Sequence, residues 1–178
     1  MSILSYIELC ELAERGVITL SDYDQINSAS IDLTLGHEIL VEENSDRIIS
    51  LKNRDPLPMR KVNIAGGYYD MQPGEAILAH TNEVFHLPFD TSGLYVLKSS
   101  MARIFLNHCN AGFADAGWSG SVLTLELINQ TRFHRIRIDD NVRIGQMLFF
   151  RHKDVPAEKS YKARGRYNGD KSVEAIKP

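Results

Sequence analysis

The spacing of the apolar residues changes once along this chain, and that change restricts the fold more than any other feature. Up to Arg15 the period is helical. Ile7, Leu9, Cys10, Leu12 and Ala13 form one stripe, Ser2 or Ser5 can cap it, and Gly16 ends it. Beyond Gly16 the period is two. Ser30-Ile31-Asp32-Leu33-Thr34-Leu35-Gly36 alternates as a half-buried strand does. Residues 17–20, 38–42, 47–51, 76–80, 94–97, 103–108, 122–129, 134–138 and 144–151 read as further short extended pieces. Turn residues such as Gln72-Pro73-Gly74-Glu75 separate them at the intervals of a sandwich or barrel. Residues 22–28 read as loop, and the charged stretch 53–62, with Pro56 and Pro58, as an exposed excursion. No second helix of comparable strength and no internal repeat is visible. The chain is mainly β.

Its 178 residues suit one domain, 1–178, large enough to bury a core. The last stretch, 155–178, loses the apolar period and is rich in Lys, Arg, Gly and Ser around Tyr161 and Tyr167. Such a segment is either a frayed end or a flexible flap that orders over an anionic ligand. A net charge of −3 argues against broad nucleic-acid binding, although a local cationic cluster suffices for a small phosphorylated ligand. No apolar run approaches the roughly 20 residues that span a bilayer, and no secretory signal begins the chain. With only Cys10 and Cys109, a reduced cytoplasmic setting is the simplest expectation.

Several chemistries are excluded by spacing. A zinc deaminase needs His or Cys two residues before a Glu and then a close Cys pair, whereas His80 precedes Thr-Asn-Glu and both cysteines are isolated. No Gly-x-Ser-x-Gly elbow, phosphate loop or Gly-x-Gly-x-x-Gly fingerprint is present. What remains is Lys98-Ser99-Ser100-Met101-Ala102-Arg103, where adjacent hydroxyls and a guanidinium can meet phosphate oxygens. A Ser-Ser turn before a strand is also common without any ligand. Glu126 is more telling. It interrupts the strand 122–129, on the face of Val122, Thr124 and Ile128, opposite Leu123, Leu125 and Leu127. A carboxylate there is a solvated or ion-paired structural group, or a partly dry acid and base. Asp115, in a glycine-flanked loop, makes an Asx turn or accepts from a sugar hydroxyl. Gln146 is the polar member of an apolar strand.

The motifs then fall into an order. Residues 26–36 (Ile-Asn-Ser-Ala-Ser-Ile-Asp-Leu-Thr-Leu-Gly), the turn and strand 72–81, Ser99-Ser100-Met101-Ala102-Arg103, Ala111-Gly112-Phe113-Ala114-Asp115, Leu125-Glu126-Leu127, Ile144-Gly145-Gln146 and Arg166-Tyr167-Asn168-Gly169 follow one another. Together they resemble the dCTP deaminase branch of the trimeric dUTPase superfamily over most of the chain. That resemblance implies a distorted jelly-roll of the dUTPase-like type with a short N-terminal helix, assembled as a homotrimer with sites between subunits. It implies water attacking C4 of the cytosine of dCTP without zinc, giving dUTP and ammonia and supplying dUTP for thymidylate synthesis. Mg²⁺ would be bound with the triphosphate. By the same resemblance Glu126 shuttles the proton, Ser99 helps to hold the water, and Arg103 orients Glu126. Asp115 meets the 3′-hydroxyl, Tyr161 packs over the nucleoside, and Ser100, Gln146 and Arg166 serve the phosphates. Lys98, Asn110 and Ala111 complete the nucleotide-binding set.

The chain departs from the family at identifiable places. Lys98 stands where the family carries Arg, Ser28 where it carries Pro, Phe113 where it carries Trp, and Asp170 where it carries Gln. Asn110 replaces a Thr tied to regulation, the position that bears on dTTP as an inhibitor. The stretch from Arg103 to Asp115 is one residue short and that from Gly120 to Glu126 one residue long, so a shifted bulge is expected. Two other activities fit the same residues: a bifunctional or pure dUTP pyrophosphatase, with Asp115 positioning a water at phosphate, and a non-catalytic nucleotide-sensing trimer. No nucleic acid or membrane partner is expected.

Overall fold

The helical stripe becomes α1 (Tyr6–Glu14) in the computed structural model, which describes residues 2–177. Met1 and Pro178, the outermost positions of the expected domain and flap, lie outside the described residues. Ser5 begins the helix: the Glu8 carboxylate accepts from the Ser5 N–H at 2.9 Å and from its hydroxyl at 2.7 Å. Those two bonds hold the exposed Glu8 carboxyl below its ordinary value. Leu9 and Leu12 carry the buried face, and Gly16, at φ +72°, turns the chain out of the helix.

The rest is β. In chain order the strands are β1 (Ser2–Ile3), β2 (Ile31–Thr34), β3 (Glu38–Glu42), β4 (Met59–Asn63), β5 (Tyr68–Met71) and β6 (Ala76–His86). Then come β7 (Thr91–Leu97), β8 (Leu106–His108), β9 (Phe113–Ala114), β10 (Ser119–Asn129), β11 (Ile136–Asp139) and β12 (Arg143–Arg151). One five-stranded sheet is built on β12, with β7 along one edge, β1 and β2 sharing the other, and β9 beyond β7. The second runs β4-β3-β6-β10-β8, and β5 pairs with β11 as a ribbon. All pairings are antiparallel, and Leu33, Phe85, Tyr95, Leu125, Leu127, Met147 and Phe149 fill one core between the sheets. Each such side chain contributes roughly 1.5–3 kcal/mol on burial. Phe85 stacks on Trp118 with ring centroids 5.2 Å apart, carrying the core to the segment that enters β10. The architecture is a distorted jelly-roll, as the family resemblance implies, and it is mainly β, as the two-residue period implies.

Several boundaries differ from expectation, each for a physical reason. Residues 47–51 form no strand: with no neighbouring edge to pair, Ile48 (93% exposed) and Leu51 (90%) sit in a surface loop. The excursion 53–62 ends instead in β4, whose Arg60 and Lys61 mark it as a charged edge strand on β3. Residues 68–71 are an unforeseen strand, and β8 begins only at Leu106. Before it lies the short α2 (Ser99–Ala102) and a turn with Phe105 at φ +61°. In β2 the expected alternation fails, because Asp32 and Thr34 are buried along with Ile31 and Leu33.

The expected bulge is present. The β10–β6 register shifts between Ser119 and Ser121, where Gly120 adopts φ +72°, and again between Val122 and Thr124. Thr81 Oγ1 accepts the Leu123 N–H at 3.0 Å across the second shift. That shift buries Ser121 and Val122 in succession and leaves Leu123 and Thr124 half-buried, so Leu123 is not a core residue. Alternation then resumes, with Leu125 and Leu127 inward and Glu126 on the other face.

Candidate active site

Beneath that face lies a cavity of about 560 Å³. Val122, Leu123, Thr124 and Glu126 of β10 and Leu78 of β6 form its floor. The loop after β3 supplies Ile49, Leu51 and Leu57, and the approach to β10 supplies Ala111, Phe113, Asp115 and Trp118. The C-terminal stretch closes the remaining side with Tyr161, Tyr167 and Asp170. Most of this wall is carbon, which is why Glu126 sits half-buried and its carboxyl is pushed above the ordinary 4.5, desolvation being the main cause. Only its own backbone N–H opposes the shift. A carboxylate raised in this way is a better proton acceptor than a solvated one, which suits taking a proton from water.

The tail is held on the body largely through its backbone, with one charged contact from Lys171. The Tyr161 N–H donates to the Ala116 carbonyl at 2.9 Å, and the Trp118 indole N–H to the Tyr167 carbonyl at 2.8 Å. The Val122 N–H donates to the Asp170 carbonyl at 2.9 Å, and the Gly169 N–H to Ser121 Oγ at 2.8 Å. The bond from Val122 satisfies a β10 N–H freed by the bulge. Burial also raises the Tyr161 phenol. The tail's cations turn away from the cavity: Lys171 Nζ donates to the Gly120 carbonyl at 2.7 Å, and Lys177 pairs with Asp170 at 2.5 Å. Among the described residues the cavity wall carries Asp55, Asp115, Glu126 and Glu174 against Arg54, with Asp170 already paired to Lys177. Such a lining suits a base and sugar and repels a triphosphate.

The residues singled out in the sequence fall into two groups. Glu126, Asp115, Ala111 and Tyr161 share the cavity. Lys98, Ser99, Ser100 and Gln146 belong to the other sheet, at the ends of β7 and β12. There Lys98 Nζ lies 2.6 Å from Asp32 Oδ2, and Gln146, opposite Asp32 in register, accepts the Ser30 hydroxyl at 3.0 Å. Ser99 and Ser100 are exposed on α2, and Arg103 ends that turn, also exposed. Asn110, at φ +57°, and Arg166 are exposed and join neither group. Sequence reasoning passed over Tyr167 and Trp118 as site residues and gave no part to the loop 49–57. Thr124, two residues before Glu126 in the alternation, was the one locally legible member. Among the described residues no three His, Cys, Asp or Glu side chains converge as metal ligands. Among the same described residues no helix is long and apolar enough to cross a membrane, and Cys10 and Cys109 are unbridged.

The class that the fold and site define is a mainly β domain whose bulged strand offers one half-dry carboxylate to an enclosed, largely apolar cavity. Comparison with known proteins makes the class specific. The family model described as dCTP deaminase-like matches residues 3–152, and the chain belongs to that family. It is 32% identical over 176 residues to a "dCTP deaminase, dUMP-forming" of Persephonella marina, covering 97% of this chain and 95% of the relative. With the protein of the same description from Aquifex aeolicus it shares 34% over 173 residues, 96% of this chain and 92% of that one. Its fold matches the crystal structure of a 2′-deoxycytidine 5′-triphosphate deaminase from Agrobacterium tumefaciens with a TM-score of 0.66 and 25% identity. The match covers 83% of this chain, which spans about half (47%) of that longer one.

Proposed function

We propose that this protein hydrolytically deaminates dCTP, with Glu126 as the proton shuttle. The single observation that carries the reading is a carboxylate left half-dry in a cavity of nucleoside size, in a chain whose relatives bear the name dCTP deaminase. Glu126 takes a proton from water as the hydroxide oxygen bonds to C4 of cytosine. The proton passes to N3; Glu126 then moves the proton of the new C4 hydroxyl to the amine, the C4–N bond breaks as the C4 carbonyl forms, and ammonia leaves. The balance is dCTP and water to dUTP and ammonia. Tyr161 packs over the nucleoside, Asp115 at the cavity rim accepts from the 3′-hydroxyl, and residues 155–178 act as a flap that excludes water. Mg²⁺ enters as part of the substrate, on the triphosphate, where it neutralises phosphate charge.

The division of the predicted residues supports a homotrimer with shared sites. Ser99, Ser100, Lys98, Gln146 and Arg103 do not line their own chain's cavity, and that cavity's acidic wall disfavours phosphate. A neighbouring copy would supply Ser99 to hold the water, Arg103 to orient Glu126, and Ser100 and Gln146 to the phosphates. A second reading, in which dUTP is further hydrolysed to dUMP and pyrophosphate, draws on the dUMP-forming description of both relatives. The test is incubation with dCTP and Mg²⁺, resolving ammonia, dUTP, dUMP and pyrophosphate. Ammonia with dUTP is expected for deamination alone, and ammonia with dUMP for both steps. Ammonia release undiminished in Glu126→Gln would remove the mechanism.

A further inference from the structure

We propose that Arg143 is a phosphate-binding residue of this protein, and that Lys98 serves instead as a brace whose ammonium is committed to Asp32. The inference rests on the nucleoside-triphosphate reading above and adds to it a residue outside the recognised motifs. Asp32 is the centre of the argument. Its side chain is 3% exposed, and it accepts from Lys98 Nζ at 2.6 Å and from Asn27 Nδ2 at 2.9 Å. Arg143 approaches the same Oδ2 atom only to 3.6 Å, and its other contact, to the Asp24 carbonyl, is 3.4 Å. The first distance is beyond a hydrogen bond and the second is a weak one.

The two cations are therefore not equivalent. If Lys98 turned toward a ligand, the buried carboxylate would keep only the neutral Asn27 donor and a guanidinium beyond hydrogen-bond distance, which costs more than an exposed charge-assisted contact returns. Arg143, with 43% of its side chain exposed, can turn without leaving Asp32 unpaired. One carboxylate against Lys98 and Arg143 leaves a single surplus positive charge, and the geometry assigns it to the guanidinium. The donors around it match. Gln146 receives the Ser30 hydroxyl on its carbonyl oxygen, so both amide hydrogens remain free, and the hydroxyls of Ser99 and Ser100 follow Lys98 directly. A planar guanidinium beside an amide and two hydroxyls is a fit for the oxygens of a polyphosphate chain.

The experiment is calorimetric titration of the full chain with inorganic tripolyphosphate, paired with dCTP kinetics. Arg143→Gln is expected to weaken tripolyphosphate binding about tenfold and to raise KM for dCTP more than it lowers kcat, with the melting temperature kept. Arg143→Lys should recover part of the affinity. Lys98→Met should instead lower the melting temperature. Wild-type protein that fails to bind tripolyphosphate, Arg143→Gln binding it as wild type does, or a larger loss of affinity in Lys98→Met would each overturn the proposal. Tripolyphosphate binding that depends on Arg143 in a protein releasing no ammonia from dCTP would refute the deaminase reading and leave Arg143 standing.

Discussion

Glu83 and Glu126 are both desolvated carboxylates in the second sheet, on the paired strands β6 and β10, and burial pushes both above the ordinary 4.5. Their surroundings differ in every other respect. Glu83 is 2% exposed and fully supplied with donors: Gln25 Nε2 at 2.7 Å, Thr34 Oγ1 at 2.8 Å and the Thr34 N–H at 3.0 Å. Those bonds join β6 to β2 and to the turn before it, so the carboxylate acts as a fastener. Glu126 has no comparable set and faces a cavity. A shifted pKa alone therefore does not mark chemistry; a shifted pKa with unfilled hydrogen-bonding capacity beside an open space does.

The sharpest way to break this contrast is to remove each charge and read both activity and stability. Glu126→Gln should lower kcat for ammonia release by about a thousandfold, the loss expected for a positioned acid and base, while dCTP still binds. Its pH dependence follows from the raised carboxyl. The base form is lost as pH falls through a value above 4.5, so kcat should decline from there downward, and an acid limb at or below 4.5 would contradict a desolvated base. The stability sign is opposite to that of a salt-bridged acid. With the folded pKa above the unfolded one, the favourable protonated form is fully present below 4.5, and its contribution is lost as pH rises through the raised value. Glu126→Gln should thus be no less stable than wild type at neutral pH.

Glu83→Ala should behave in reverse. Removing the acceptor strands the Thr34 N–H and the Gln25 amide in the core, and the expected cost is about 2 kcal/mol of unfolding free energy. Denaturant melts measure it directly. Folded Glu83→Ala should still release ammonia, and a melt unchanged from wild type would mean that the Glu83 network holds nothing together.

The same contrast explains what could be read from the chain. Glu126 was legible because Leu125 and Leu127 flank it with a clean period of two, and a spacing offset pointed to the bulge that the structure places around Gly120 and Leu123. Leu123 misled because a bulge reverses alternation and no local pattern announces which residues it reverses. The Asp32–Lys98 pair joins residues 66 apart, and only tertiary packing brings them together. Residues 47–51 look like a strand by composition, yet a strand also needs a partner. β4 shows the converse, since its charges hide an edge strand. In the tail, composition showed the basic residues but not their placement: Lys171 and Lys177 do not line the cavity while Tyr161, Tyr167 and Asp170 do.

That placement makes truncation informative. Deleting residues 158–178 removes both tyrosines and the backbone bonds to Trp118, Ser121 and Val122. KM for dCTP should rise about tenfold, equivalent to about 1.4 kcal/mol of binding. Because the tail's cations do not face the cavity, the loss should change little between low and moderate salt. A strongly salt-dependent loss would show that the tail works by charge after all, and unchanged affinity would make it a passive end.

The smallest expected effect isolates the bulge itself. Gly120 sits at φ +72°, where a side chain is strained, and it is the extra residue at the first of the two β10 register shifts ahead of Glu126. Gly120→Ala should cost about 1 kcal/mol, because a Cβ there would have its nearest neighbours at 3.8 Å and 3.9 Å and so meets backbone strain rather than a clash. If the bulge is only a kink, the loss appears in the melt and kcat per folded molecule stays as in wild type. If it sets the depth of Glu126, the acid limb of the kcat profile also moves toward 4.5 as the carboxylate regains water, and the two measurements must change together.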